Sequence, residues 1–180
     1  MSYILKDSFT TENSSAEIFS NISGSAYGGG VSFTAGSNYS IAKFILKVSK
    51  TGSPTGNIRG RLYAEDGSNL PTGGILAETA SIDLSSASGS LTEKDFVFST
   101  PYSLNSGTKY CLVVELYGGG QTFDGSNCWN ISVDTAQGYS GGTFIAKSSS
   151  SVWSVWGTQD GYFKTYSETL GTNSQIIWID

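Results

Sequence analysis

The sequence predicts an all-β fold: a two-sheet antiparallel β-sandwich of jelly-roll-like form. Three observations carry this. Apolar residues recur with period two in one segment after another. No stretch joins helical spacing to caps and adequate length. Turn signals rich in Gly, Asn, Asp and Pro separate the alternating segments at intervals of about 8 to 15 residues. The 180 residues fit one undivided domain, residues 1–180. Charged residues make up 14% of the chain, well below the roughly 25% usual for soluble domains. Gly, Ser, Thr and Asn fill the gap, which gives a neutral, hydroxyl-rich surface.

Along the chain the expected strands are Ala16 to Ile22, Val31 to Ala35, Ser40 to Ser49, Asn57 to Ala64, Ile75 to Ile82 and Asp95 to Ser99. Thr108 to Leu116, Cys128 to Asp134, Thr143 to Lys147, Gly161 to Tyr166 and Gln175 to Ile179 follow. In the third, Ala42, Phe44, Leu46 and Val48 form a dry face against Lys43 and Lys47. Ile41 and Ile45 interrupt the wet face, so the pattern expects something to cover them. In "NIRGRLYA", Ile58, Gly60, Leu62 and Ala64 fall on one face and Arg59, Arg61 and Tyr63 on the other. Pro-Thr-Gly stands on both sides of it, at Pro54 to Gly56 and Pro71 to Gly73. Proline fixes φ for a first corner and glycine takes a positive φ at no steric cost, so each reads as a reversal.

"TKYCLVVEL" is the best core strand, with Tyr110, Leu112, Val114 and Leu116 opposite Cys111, Val113 and Glu115. Leu62, Phe96, Leu112, Val114 and Trp129 are the expected core. The glycine runs at Gly28 to Gly30 and Gly118 to Gly120 read as flexible turns, since neither precedes a helix with a Lys-Ser/Thr pair. If the strands around Cys111 and Cys128 pair as a hairpin, Leu116 faces Cys128 and Cys111 lies about five residues further along, beyond disulfide reach. Both cysteines then read as small buried residues.

A longer pattern runs through "FTAGSNYSIAKFILKVSKTGSPTGNIRGRLYAEDG", "PTGGILAE", "FVFSTPYSLNSGTKYCLVVEL" and "GYSGGTFIAKSSSSVWSVWGTQDGYFKTY". It resembles a β-sandwich module found in tailed-bacteriophage virion proteins, in phage tail and fibre proteins and in some bacterial surface proteins. The matching features are K-x-G-x-P-T-G before an alternating strand, a second P-T-G followed by L-A, L-x-x-G-T-x-Y ahead of an apolar strand, and Y-x-G-G with a later Trp and D-x-x-F. The match covers roughly residues 31–166. The resemblance implies the sandwich, and such modules serve as spacers, decorations and glycan binders alike.

The residue inventory narrows the chemistry. No histidine is present, which excludes Ser-His-Asp and Cys-His arrangements and His-ligated zinc. The carboxylates Glu65, Asp66, Asp83, Glu115, Asp124, Asp134 and Asp160 single out no facing pair of the kind glycoside hydrolysis uses. The sequence therefore predicts no enzyme and no cofactor. "DGSN" occurs at Asp66 to Asn69 and at Asp124 to Asn127. Such a loop suits calcium as well as an ordinary hairpin, and the hairpin is the expectation here. The net charge of −5 with scattered Lys and Arg argues against nucleic acid. Apolar runs are too short to span a membrane, and the first residues lack a basic start followed by an apolar block.

Together with the resemblance, these features predict a non-enzymatic structural protein of a phage virion: an exterior capsid decoration protein, a head fibre or a small tail protein. Its expected partners are other virion proteins, in a homo-oligomer or on a lattice. Its expected location is the virion, assembled in the host cytoplasm. The alternative is a carbohydrate-binding module on a virion or an extracellular bacterial surface, with a host-surface glycan as partner. Rings beside amide and carboxylate groups make the candidate glycan contacts Trp156, Gln159, Asp160, Tyr162, Asp124 and Asn127. The two chain ends carry apolar residues suited to assembly: Tyr3, Ile4 and Leu5, and Ile176 and Trp178.

Overall fold

A computed structural model describes residues 2–19, 26–148 and 152–169. The strands are β1 (Ser2–Phe9), β2 (Ser14–Ile18), β3 (Ala26–Thr34), β4 (Tyr39–Thr51), β5 (Thr55–Glu65), β6 (Pro71–Glu78) and β7 (Ile82–Asp83). They continue as β8 (Thr92–Leu104), β9 (Lys109–Thr122), β10 (Cys128–Asp134), β11 (Phe144–Ser148), β12 (Trp153–Val155), β13 (Asp160–Gly161) and β14 (Phe163–Thr169). A 3₁₀ turn, Leu84–Ser86, is capped by the Asp83 side chain, which accepts from the Ser85 N–H.

The strands form two antiparallel sheets of seven, as the alternation predicts. The first contains β1, β2, β4, β8, β10, β13 and β14. The second contains β12, β11, β3, β9, β5 and β6 in that order, with β7 on β5. Their facing sides enclose one main core. Leu62, Phe96, Leu112, Val114 and Trp129 are all fully buried in it. The Trp129 indole N–H donates to the Leu84 carbonyl at 2.7 Å, which satisfies the one polar atom of a large buried ring. Gly60 faces the stacked rings of Phe44 and Phe96, whose centroids are 4.7 Å apart. A Cβ there would stand 2.8 Å from Phe44 Cζ and 2.9 Å from Phe96 Cδ1, so the alternating strand carries glycine where the aromatic pair presses against it.

Several sequence expectations are corrected. Gly28 to Gly30 are not a turn; they lie in β3, paired to β9 on one side and β11 on the other. The second Pro-Thr-Gly is not a reversal but opens β6; the chain reverses at 66–70, where Asn69 has φ +67°. The first follows a reversal at Gly52 (φ +62°) that carries the chain from one sheet to the other. The segment expected as one strand from Ile75 to Ile82 is two, β6 and β7. β9 and β10 do not pair as a hairpin: they belong to different sheets, which separates Cys111 from Cys128, both free and buried. A register shift between Ile41 and Lys43 breaks the alternation of β4. Ile41 thereby joins Phe44, Leu46 and Val48 in the core, and Ala42 leaves it. Ile45 stays outside the core but is buried, opposite Lys164 and Asp95 and two residues from Lys43 and Lys47. The sequence did not foresee β1 or β12, and the expected strand Gln175 to Ile179 lies outside the described residues.

Candidate functional site

The proposed glycan contacts divide between two places that share no hydrogen bond or ring contact among the described residues. Asp124 and Asn127 belong to the turn that carries the chain from β9 to β10 in the other sheet. Asp124 Oδ1 accepts from the Ser126 N–H at 2.7 Å and from Asn127 Nδ2 at 3.0 Å, which holds the carboxyl below its usual range. Asn127 Oδ1 accepts from the Ser53 N–H at 2.8 Å. Asp66 does the same in the other DGSN loop, accepting from Ser68 and Leu70 N–H. Both aspartates spend a side-chain oxygen on their own loop's backbone, while the asparagines reach outward, Asn127 Oδ1 to the Ser53 N–H and Asn69 Oδ1 to Lys109 Nζ. Among the described residues no three His, Cys, Asp or Glu side chains come together as a metal-ligand set.

The other candidates follow β12. Trp156 is half-buried with its ring edge-on to Phe144. The Gln159 carbonyl accepts from the Phe144 N–H at 2.8 Å, while its side-chain oxygen is buried with no hydrogen-bond partner among the described residues. Tyr162 is buried and its hydroxyl donates to Glu93. Asp160, 3% exposed, stands directly opposite Asp134, 2% exposed, across β13 and β10. The Tyr139 N–H donates to Asp160 at 2.8 Å, and Asn13 Nδ2 to Asp134 at 2.8 Å. Burial and the neighbouring Asp134 charge raise the Asp160 pKa. Asp160 and Tyr162 are therefore mostly covered, 3% and 5% exposed. Spacing placed them beside rings but did not say which way they point.

The outer face of the second sheet holds a polar network that the sequence did not single out. One row of cross-strand neighbours runs Trp153, Lys147, Gly28, Glu115, Arg59. Because Gly28 has no side chain, Lys147 Nζ crosses β3 to reach Glu115 Oε1 at 2.5 Å. Glu115 Oε2 accepts from Tyr63 Oη at 2.8 Å and from Arg61 at 3.1 Å. Burial alone raises the Glu115 pKa, but these donors and the Lys147 charge hold it below the ordinary carboxylate value. Tyr63 moves the other way: burial and the carboxylate push it up to about 12. Lys147 also stands over the Trp153 ring, and the Arg59 guanidinium stacks on Tyr117 with 3.6 Å between its Cζ and the ring centroid. Arg59 Nε and Arg61 Nε are buried without hydrogen-bond partners among the described residues. Cys111, Val113 and Ile145 form a small second core on this face, beneath Tyr63, Leu70 and Trp153. The only sequence signal was apolar residues on both faces of "TKYCLVVEL".

The amino-terminal assembly candidates lie on an edge. Among the described residues β1 pairs only with β14. Ile4 and Leu5 are each 49% exposed, and Tyr3 is half-buried beneath the Lys43 ammonium, 4.8 Å from the ring centroid. A bulge between Leu5 and Ser8 distorts the second half of the strand and leaves Ser2 to Leu5 regular. Bulges of this kind blunt an exposed edge, so the open part of β1 is the part that carries Ile4 and Leu5. Ile176 and Trp178 lie outside the described residues.

No known protein family matches the chain, and no curated protein does.

Proposed function

We propose that this chain is a non-enzymatic structural module on the exterior of a phage virion, a capsid decoration, head-fibre or small tail protein, attached through the edge of β1. The observation that carries this is the regular, singly paired half of β1 with two adjacent half-exposed apolar residues, Ile4 and Leu5. An open edge presents backbone N–H and C=O groups for strand addition, and apolar side chains beside it add contact area. A weakly charged module has little long-range steering and relies on such short-range contacts. The two-sheet sandwich agrees with the phage-module resemblance, and the directly opposed carboxylates Asp134 and Asp160 are buried, 2% and 3% exposed. An electron-microscopy reconstruction of the native particle tests the reading. Density for the sandwich on the particle, with β1 against a neighbour, is the expected result; no particle association overturns it.

A second reading, a carbohydrate-binding module, draws on the outer face of the second sheet. There Tyr117 is 39% exposed with the Arg59 guanidinium stacked on its ring, and Trp153 stands half-buried at the other end of the row. A glycan array with the Tyr117→Ala variant as control separates the two readings.

A further inference from the structure

We infer that a groove on the outer face of the first sheet binds a neutral saccharide, with Glu168 and Tyr3 as its principal contacts. The inference rests on the carbohydrate reading and moves the sugar from the second sheet to the first. The groove consists of two adjoining depressions of about 340 and 200 Å³, which share Pro101 and Glu168. Ser40 and Ser167 complete the larger, which alone falls within the roughly 300–1,000 Å³ of small-molecule sites. Tyr3, Ala42, Val97 and Ser99 are among the residues that line the smaller.

Its origin is a break in two ladders at one residue. Pairing with β14 jumps from Lys43–Tyr166 to Ile41–Ser167, and pairing with β8 jumps from Lys43–Val97 to Ile41–Tyr102. Ala42 is passed over by both neighbours, and Ser99 and Pro101 fall in the gap on β8. Two cross-strand rows flank the break. Leu5, Tyr166, Lys43 and Val97 form one. The other sets Tyr3 opposite Glu168 and Ser40 opposite Ser103. Val97, Ala42 and Pro101 thus supply apolar contact, and the carboxylate and the serine hydroxyls supply a polar margin. A pyranose offers the matching pattern, apolar C–H faces with a rim of hydroxyls.

Charge selects the kind of sugar. Three other carboxylates of this sheet are already paired: Asp95 with Lys43, Glu93 with Lys164 and Glu12 with Lys47. Glu168 is half-buried and makes no hydrogen bond or ion pair among the described residues. An ionised carboxylate accepts strong, charge-assisted hydrogen bonds, and ligand hydroxyls can donate them. A cationic ligand is disfavoured, because the Lys43 ammonium already lies 4.8 Å from the Tyr3 ring centroid and 4.5 Å from that of Tyr166. It fills the cation position on both rings and would repel a second ammonium. An acidic sugar would meet the Glu168 charge. A neutral saccharide meets neither penalty, and two depressions in line suit two successive sugar units.

An array of neutral, amino-substituted and carboxylated oligosaccharides, followed by titration of the strongest probe, tests this on the full chain. Binding to neutral oligosaccharides is expected. Glu168→Gln should weaken it at least about tenfold, since a hydrogen bond to a charged group is lost. Its melting should match the parent's, because no group of the protein uses that carboxylate. Tyr3→Ala should weaken the same probe. A preference for amino or acidic sugars overturns the inference. So does a neutral probe that Glu168→Gln binds as the parent does; if Tyr117→Ala loses that probe, the carbohydrate reading stands on the second sheet without the groove. No binding to any probe by the unaltered chain overturns the groove and the carbohydrate reading together.

Discussion

Lys147 and Glu115 meet across a strand that has no side chain between them. Their ion pair, 2.5 Å from Nζ to Oε1, passes over Gly28 of β3 and ties β11 to β9. A Cβ on Gly28 would stand 2.8 Å from the Val114 carbonyl oxygen, with Glu115 Cγ and Trp153 Cη2 at 3.4 Å. The glycine run thus admits a charged crossing where two central strands would otherwise present only their own side chains.

Glu115→Gln removes the charge that Lys147 and Arg61 share. Breaking a buried pair costs about 3–5 kcal/mol. Here the two cations keep about a fifth of their side-chain surface in water, so about 2 kcal/mol is expected at pH 7. The folded pKa of Glu115 is depressed. Its stabilisation is complete above the unfolded carboxylate value of about 4.3 and fades as pH falls through the folded value. Urea melts at pH 7 and pH 3 check this: the gap between variant and parent should shrink in acid. An equal gap at both pH values would mean that packing rather than charge holds the site.

Gly60→Ala tests the stacked rings of the core. The added methyl has nowhere to go unless Phe44 or Phe96 leaves its partner. A loss of about 1–3 kcal/mol is expected, the usual cost of overpacking. Gly74→Ala is the control, since nothing lies within 4 Å of a Cβ there. Denaturant melts that show equal effects for the two would contradict the aromatic contact.

Much of this fold was legible in the sequence, because period two reports which residues share a face. Leu62, Leu112 and Val114 obey it. Period two does not name the neighbouring strand. "YGGGQTFDGSN" reads as a hairpin loop, yet β9 runs on to Thr122, and the DGSN turn passes the chain to the other sheet. β1 was missed because Ile4 and Leu5 are both exposed, and an edge strand with no buried face shows no alternation. The Ala42 bulge inverted the assignment of Ile41, whose apolar side chain on the expected wet face was its trace in the sequence. At the candidate site, rings and amides gave composition without direction. Asp160 is covered opposite Asp134 and Tyr162 lies under Glu93, Lys47 and Lys164, and the network around Glu115 drew residues from β5, β9 and β11, which are distant in sequence.

Asp160→Asn relieves two buried carboxylates that face each other. Like charges directly opposite destabilise a strand pair by about 0.2–1 kcal/mol. Asparagine keeps an oxygen for the Tyr139 N–H. Because the folded pKa of Asp160 is raised, the ionised group costs stability above that pKa. The cost disappears as pH falls to the unfolded value near 3.9. The variant should therefore be the more stable at pH 7, with the advantage gone near pH 3.5. Thermal melts at both values decide it, and a variant clearly weaker at pH 7 would show that the second Asp160 oxygen has an essential acceptor role.

The assembly reading is tested at Leu5. The side chain is half-exposed on the outer face of an edge strand, with its backbone already paired to Tyr166. Leu5→Lys leaves that pairing intact and places a charge where an added strand would lie, the device natural sheets use against edge pairing. It buries no new group, so stability should change by no more than about 0.5 kcal/mol. Phe33→Ala is the contrasting control: it hollows the core, with a cost of about 3–5 kcal/mol, and leaves the edge unchanged. If β1 is the docking edge, Leu5→Lys loses binding to particles, or self-association in sedimentation, while its circular dichroism and melting stay like the parent's. A Leu5→Lys protein that folds and still binds particles as the parent does would place the attachment surface elsewhere on the sandwich. The outer row from Trp153 to Arg59 would then be the next surface to alter.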